Sequence, residues 1–210
     1  MIAMEPSGHR YFVLHKPFNM VSQFVSPDAV NLLSDIDFDF PEGTHAIGRL
    51  DNHSEGLLLL TTNKKMTVML FSSPVPHKRD YLVRVRHVVQ PVELEPLRQG
   101  LALPGKGGLD YISMPCSAEI VEKPQWLADR PNEYRDDIPH SWLLISLYEG
   151  KFHQVRKMVT AIGHPCQRLI RVAIEDLRLG DLPAGGVREL PEAEIFQLLK
   201  IGPWAKAILP

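Results

Sequence analysis

Four consecutive leucines, Leu57–Leu60, constrain the fold of this chain more than any other segment. Polar residues and a glycine precede the run, and Asn63 follows it closely. An unbroken apolar run of this length between turn-forming residues is typical of a short strand inside a core. We therefore expect a buried strand here. Arg49 and Asp51 stand just before it, where either a solvated turn or a catalytic loop would explain them.

The periodicity of the remaining segments predicts more strands than helices. Strands are expected at residues 10–17, 45–47, 79–88, 116–123 and 141–150, with an extended piece at 19–24 and a further apolar run at 166–174. Helices are expected at residues 28–36, 63–73, 91–100, 155–162 and 189–202. Because the strands and helices do not alternate regularly, we expect an α+β fold with a mixed, largely antiparallel sheet and flanking helices.

The clearest helix is the one that begins near Val155. Its apolar residues, Val155, Met158, Val159 and Ile162, follow the i, i+3, i+4, i+7 spacing of a single helix face. A glycine and then a proline follow the stripe, and this is a typical helix stop. The spacing predicts that this face packs against the core.

Composition excludes several classes of protein. The 210 residues carry a formal net charge of −2, and no apolar run approaches the roughly 20 residues that a membrane span requires. The first residues lack the pattern of a secretory signal, and two cysteines do not make a disulfide framework. We expect a soluble, cytoplasmic monomer that does not bind a membrane.

Charge is uneven along the chain. Residues 78–86 include four Lys or Arg residues and one Asp, and residues 151–171 include five Lys or Arg residues and no Asp or Glu. Two basic segments in a nearly neutral protein could contact a polyanion with one face. A solvated basic surface is the alternative.

Motifs of common active sites are absent. The histidines and cysteines lack the spacing of metal ligands, and neither a nucleophile elbow nor a glycine-rich phosphate loop occurs. Asp51 and Glu55 could form the carboxylate pair of a glycosidase. A different combination is Asp51 with Tyr81 and Arg156, since a guanidinium matches a carboxylate and stays protonated, and a tyrosine can stack on a base.

Several motifs in order resemble the pseudouridine synthases, in the RsuA-type branch that modifies ribosomal RNA. Residues 48–61, GRLDNHSEGLLLLT, resemble the family's aspartate signature, and residues 149–171 resemble its later motif. Residues 14–20 and 179–190 are similar to the opening and closing segments, and residues 138–150 look most like the large-subunit synthase E group. The resemblance implies a pseudouridine synthase fold with a central active-site cleft. It implies a catalytic domain at 9–190 with two subdomains around the cleft, no S4 domain, and a C-terminal helix and tail at 191–210.

The resemblance also implies roles for single residues. Asp51 would be the catalytic aspartate, Arg156 its ion-pair partner, and Tyr81 the tyrosine that stacks on the target base. Leu169 would line the pocket, and Arg49 would enter the RNA stack where the base has left it.

The implied substrate is a uridine of 23S ribosomal RNA in a single-stranded or distorted region. His153, Lys157 and Arg171, all in the second basic segment, would bind this RNA. The reaction implies no cofactor and no metal. A catalytically silent RNA-binding or ribosome-assembly factor on the same fold is the alternative. We expect the long polar segment 124–139 to select the substrate.

Overall fold

The computed structural model describes residues 8–71, 76–130 and 133–202. The strands in this part of the chain are β1 (Tyr11–Lys16), β2 (His45–Ile47), β3 (Glu55–Thr61), β4 (Arg79–Arg86), β5 (Ala102–Leu103), β6 (Tyr111–Ile112), β7 (Ser117–Val121), β8 (His140–Leu147), β9 (Cys166–Ile174), β10 (Leu177–Arg178) and β11 (Val187–Leu190). The α-helices are α1 (Met66–Phe71), α2 (Glu95–Gln99), α3 (Gln154–Ala161) and α4 (Glu192–Leu198). No helix within the described ranges has both the length and the apolar character needed to cross a bilayer.

Nine of these strands form one sheet. Its main path runs β11-β1-β3-β9-β4-β8-β7, with β2 added to β3 and β10 added to β9. Every pairing is antiparallel except that of β3 with β9. The predicted α+β class with a mixed, largely antiparallel sheet is confirmed.

The leucine run forms most of β3, as predicted, and is buried on both faces. Leu57 and Leu59 pack in one core cluster, Leu58 and Leu60 pack in another, and all four side chains are 0% exposed. β3 lies between β1 and β9, so both of its edges are also covered. A strand in this position has no solvent-facing side, and its four central residues are therefore all apolar instead of alternating.

Gly56 brings β3 and β9 unusually close together. Its φ is +101°, and a Cβ atom there would lie 2.3 Å from the Arg171 carbonyl oxygen. We expect Gly56→Ala to lower the free energy of unfolding by about 2 kcal/mol or more, since it adds backbone strain to a backbone clash. Urea unfolding checks this. The matched variant Gly107→Ala also has a positive φ but meets no atom within 4 Å, so it should cost less. Equal losses in the two variants would show that the close approach is unimportant.

Helix α3 follows from the apolar stripe. Val155, Met158 and Val159 are buried against β4, β8 and β9 in a third core cluster. The helix ends at Ala161, and Gly163 follows with a φ of +85°. Packing this face fixes the helix N-terminus, and with it the residues just before Gln154, beside the loop that precedes β3.

Two predicted elements were wrong, and a third is shorter than predicted. The helix expected at 28–36 is only a 3₁₀ turn, Leu33–Asp35, and the extended piece at 19–24 makes one isolated bridge, from Met20 to Asn31. The third, the helix expected at 189–202, forms at Glu192–Leu198, and residues 189–190 belong instead to β11. β11 forms because β1 would otherwise leave an open edge, and its four residues pair antiparallel with Tyr11–Leu14.

Candidate active site

A cleft of about 750 Å³ opens beside the loop that precedes β3. Its walls are this loop, the start of β4, the end of β8 and the start of α3, with β9 beneath them. The structure brings six of the eight predicted site residues to this cleft: Arg49, Asp51, Tyr81, His153, Leu169 and Arg171. Arg156 and Lys157 are not among the residues that line it.

Asp51 lies in a turn that is held from both ends. The Ser54 amide donates to the Asp51 carbonyl at 2.9 Å, and Leu50 exchanges two hydrogen bonds with the Ser22 hydroxyl. The Asp51 carboxyl group is about one third exposed, at 34%, and faces His153 Nε2 at 3.6 Å. The rigid turn therefore presents this carboxylate to the cleft.

Within the described residues, Arg156 bonds the loop around Asp51 and not the Asp51 carboxylate itself. Arg156 Nη2 donates to the His53 carbonyl at 2.6 Å and to Ser54 Oγ at 3.2 Å, and its Nη1 reaches Cys166 Sγ at 3.5 Å. The residue sits inside the first turn of α3, from which its guanidinium reaches the backbone of the loop. Arg156 thus supports the Asp51 loop. The side chain that faces the Asp51 carboxylate is the imidazole of His153.

Tyr81 and Arg171 lie side by side beneath the cleft. They are paired across β4 and β9, and Leu169 lies on the same face of β9 as Arg171, two residues earlier. Arg171 donates from Nε to the Leu57 carbonyl at 2.8 Å, while its Nη2 has no partner among the described residues. Burial lowers the pKa of this guanidinium, and the neighbouring Tyr81 acts in the opposite direction. An aromatic ring, a leucine and a buried cation therefore form the floor.

The basic segments are not a uniform binding surface. Arg84 and Arg168 are only 1% and 4% exposed, so neither a phosphate contact nor a solvated face describes them. Lys157 donates to the Pro104 carbonyl at 2.7 Å, outside the cleft. Because side chains alternate between the two faces of a strand, Arg84 in β4 and Arg168 in β9 point towards the interior. A buried cation requires an anionic partner there.

That partner is a buried ionic network under the sheet. Arg168 binds both oxygens of Glu55, at 3.1 and 2.9 Å, and donates to Glu133 at 2.8 Å. Arg84 also pairs with Glu133, at 3.5 Å, and donates to the Tyr134 carbonyl at 2.8 Å. Arg130 joins Glu55 at 3.2 Å. The network fastens the segment 124–139 to the sheet within the ranges described, so this segment supports the fold.

The network also removes the glycosidase alternative. Glu55 is 2% exposed, its two oxygens are engaged by arginines, and it does not line the cleft. A carboxylate so placed cannot act on a sugar opposite Asp51.

Lys16 supports the same loop and was missed at the sequence level. Its ammonium is fully buried and donates to the carbonyls of Pro17, Met20 and Asn52 at 2.8, 2.6 and 3.4 Å. Burial lowers the pKa of Lys16 to about 8, although the carboxylates of Glu55 and Asp51 act against this shift. Its signal was the pair of residues that ends β1, a lysine followed by a proline.

The Lys16 pKa predicts how stability depends on pH. Its unfolded value is 10.5 and its folded value is about 8, so between these pH values the unfolded chain binds more protons and stability rises with pH. The free energy of unfolding of wild type minus that of Lys16→Met should therefore increase by about 2 kcal/mol from pH 8 to pH 10. Urea titrations of both proteins measure it. A difference that stays constant with pH contradicts a buried ammonium at this position.

Other cleft residues were missed as site candidates. Arg79, Lys151 and Phe152 line the cleft, together with the half-exposed Tyr148 and Phe71. Lys151 and Phe152 directly precede His153 in the second basic segment, which is the only sequence signal for them. In the part of the chain that is described, no three His, Cys, Asp or Glu side chains converge as metal ligands.

The geometry suits a planar ring held near a carboxylate. A ring lying on Tyr81 and Leu169 would have Asp51 at the cleft wall, where it could act as a nucleophile or as a base. Cations outnumber carboxylates around the cleft, with Arg49, Arg79, Lys151 and Arg171 against Asp51 and Glu149. This surface favours a polyanionic ligand.

Comparison with known proteins identifies the family. Residues 10–161 match the family described as RNA pseudouridylate synthase. The chain is 34% identical over 184 residues to a ribosomal large subunit pseudouridine synthase E of Vibrio parahaemolyticus, covering 87% of this chain and 74% of that one. It is 36% identical over 172 residues to a protein of the same name from Xanthomonas axonopodis pv. citri, covering 81% and 88%.

A solved structure extends the likeness to three dimensions. The crystal structure of a pseudouridylate synthase superposes with a TM-score of 0.70 at 27% identity, covering 91% of this chain and 74% of that one. The resemblance and the pseudouridine synthase fold that it implied are thus confirmed. The chain belongs to the RNA pseudouridylate synthase family.

Proposed function

We propose that this pseudouridine synthase isomerises a uridine of 23S ribosomal RNA, with Asp51 as the catalytic aspartate. The observation that carries the proposal is the Asp51 carboxylate, on a side chain that is about one third exposed, on a rigid turn above a floor of Tyr81, Leu169 and Arg171. The relatives named for the ribosomal large subunit support the choice of RNA.

The reaction requires a flipped base. The target uridine leaves its stack and enters the cleft, because its glycosidic bond is otherwise inaccessible. Tyr81 then stacks on the base, and Arg49, exposed at the rim and without a bonding partner among the described residues, fills the space that the base has left.

The chemistry at Asp51 balances without an oxidant. The N1–C1′ bond breaks, the base rotates, C5 bonds to C1′, and the C5 proton leaves while N1 gains one. Asp51 either attacks C1′, forming a covalent bond that breaks when C5 bonds to C1′, or removes a proton from C2′ that is returned when C5 bonds to C1′. Arg156, Lys16 and the Ser22–Leu50 bonds keep its loop in place, and this precision depends on a rigid support.

We also propose that the preferred RNA is single-stranded or distorted, since unpaired bases cost less to flip. Arg49, Lys157, His153 and Arg171 would contact it, and its affinity should fall as salt rises. The protein acts as a monomer in the cytoplasm in this proposal.

Mapping of pseudouridines tests the function. Ribosomal RNA from cells with and without the protein is compared, and one position of the 23S RNA should lose its pseudouridine when the protein is absent. The purified protein should release tritium from 23S RNA that carries 5-tritiated uridine. Tight RNA binding without tritium release would instead indicate a silent RNA-binding factor.

A further inference from the structure

Phe152 is an aromatic side chain that the cleft leaves in solvent. It is 69% exposed, yet it lines the same cleft as Asp51. The proposed chemistry gives it no role, and no core cluster contains it. Phe152 therefore presents a largely exposed ring, with Lys157 Nζ 5.6 Å from the ring centre, next to a site that handles planar bases.

The orientation of this ring is set by His153. The two ring centres are 3.8 Å apart and the planes differ by 17°, so the rings are stacked. His153 has a left-handed backbone, with a φ of 53°, immediately before α3, and this conformation is uncommon for a residue other than glycine. The helix that packs on the core thus fixes the pair of rings.

The stack begins next to the reacting carboxylate. Asp51 Oδ1 lies 3.6 Å from His153 Nε2, and Phe152 is the next layer outward. A base stacked on the exposed part of the Phe152 ring would continue this series beyond His153, and Lys157 Nζ, 5.6 Å from the Phe152 ring centre, would lie beside it. Lys151, beside Phe152 in sequence, also lines the cleft and adds positive charge for the connecting phosphate.

We propose that Phe152, fixed by His153, is the stacking platform for the unpaired base next to the target uridine. The inference rests on the proposed function, because it takes RNA as the ligand. It assigns Phe152 to substrate positioning, and it predicts that the neighbouring nucleotide must be unstacked from its own duplex before the target enters the cleft. Aromatic stacking tolerates any base, so Phe152 adds affinity without reading sequence.

The experiment compares wild type with Phe152→Leu and Phe152→Trp. The RNA is a fragment of 23S RNA around the mapped site, with 2-aminopurine placed at either neighbour of the target. Wild type and Phe152→Trp should quench the fluorescence at one of the two neighbours, and Phe152→Leu should not. Phe152→Leu should bind the fragment roughly 5- to 150-fold more weakly, which corresponds to one stacked base, with a raised KM and little change in kcat.

A second RNA, abasic at that neighbour, separates stacking from a structural effect. On the abasic RNA, Phe152→Leu should bind as wild type does, because nothing remains to stack. Ile112→Ala is the matched control variant, since Ile112 is 68% exposed but lies outside the cleft. It should bind both RNAs as wild type does.

Two outcomes overturn the inference. One is equal binding of the intact fragment by wild type and Phe152→Leu, and the other is an equal loss on intact and abasic RNA. The proposed function fails separately, if wild type binds the RNA but forms no pseudouridine. In that case the fluorescence comparison still decides whether Phe152 stacks on a base.

Discussion

Replacing Asp51 by asparagine is expected to abolish pseudouridine formation and leave RNA binding intact. The amide has the shape of the carboxylate but can neither attack C1′ nor take a proton from C2′. The rate should fall at least about 10²- to 10⁴-fold, the range for loss of a general base, and further if Asp51 is a nucleophile. Tritium release from 5-tritiated RNA measures turnover, and filter binding measures affinity.

The structure explains why the fold should survive this change. The turn is closed by the Asp51 backbone carbonyl and by Leu50, not by the carboxylate. Asn52→Ala, at the adjacent position, is the control and should retain most activity, because Lys16 bonds the Asn52 backbone carbonyl and not its side chain. Full turnover by Asp51→Asn would refute the proposed mechanism.

Replacing Arg168 by methionine is expected to have the largest effect on stability. The substitution leaves Glu55 and Glu133 buried without their shared cation, and breaking a buried ion pair in this way costs about 3–5 kcal/mol. Urea unfolding should show a midpoint well below that of wild type. Activity should fall as well, because Glu55 begins the strand directly after the Asp51 turn.

Two comparisons test whether the network causes that loss. Arg135→Met breaks an exposed pair with Asp137 on the same segment and should change stability by less than about 1 kcal/mol. Adding Glu133→Gln to Arg168→Met removes one of the stranded charges and should restore part of the loss. If Arg168→Met unfolds at the same urea concentration as Arg135→Met, the buried network does not stabilise the fold.

The network changes how the segment 124–139 should be studied. Deleting it would leave Arg84 and Arg168 in the core without Glu133, so a deletion would report unfolding and not substrate choice. Its proposed role in substrate selection is better tested with side chains that point to solvent, such as Tyr134.

The local sequence pattern predicted a strand or helix correctly where each face of the element has one uniform environment. The leucine run predicts β3 because both faces of that strand are buried, and the apolar stripe predicts α3 because one face is. The local pattern failed to predict an element that depends on a distant segment. β11 is the example, since it forms as the edge partner of β1. The residues of the cleft also divide into those that the sequence predicted and those that it did not. The motifs indicated six residues that the fold brings together, whereas the sequence signals for Lys16 and Phe152, a following proline and a place in the second basic segment, did not assign either residue to the site.

The sequence by itself determined the class of the fold, the buried strand with Asp51 in front of it, and the family. Only the tertiary structure decided what each cation does. The sequence suggested surface charges at Arg84 and Arg168, but both side chains are buried. Arg156 bonds the backbone of a loop, and His153 faces Asp51. The physical reason is that alternation along a strand assigns residues to two faces, while the segments that later pack on each face decide which charges are desolvated and which partners they meet.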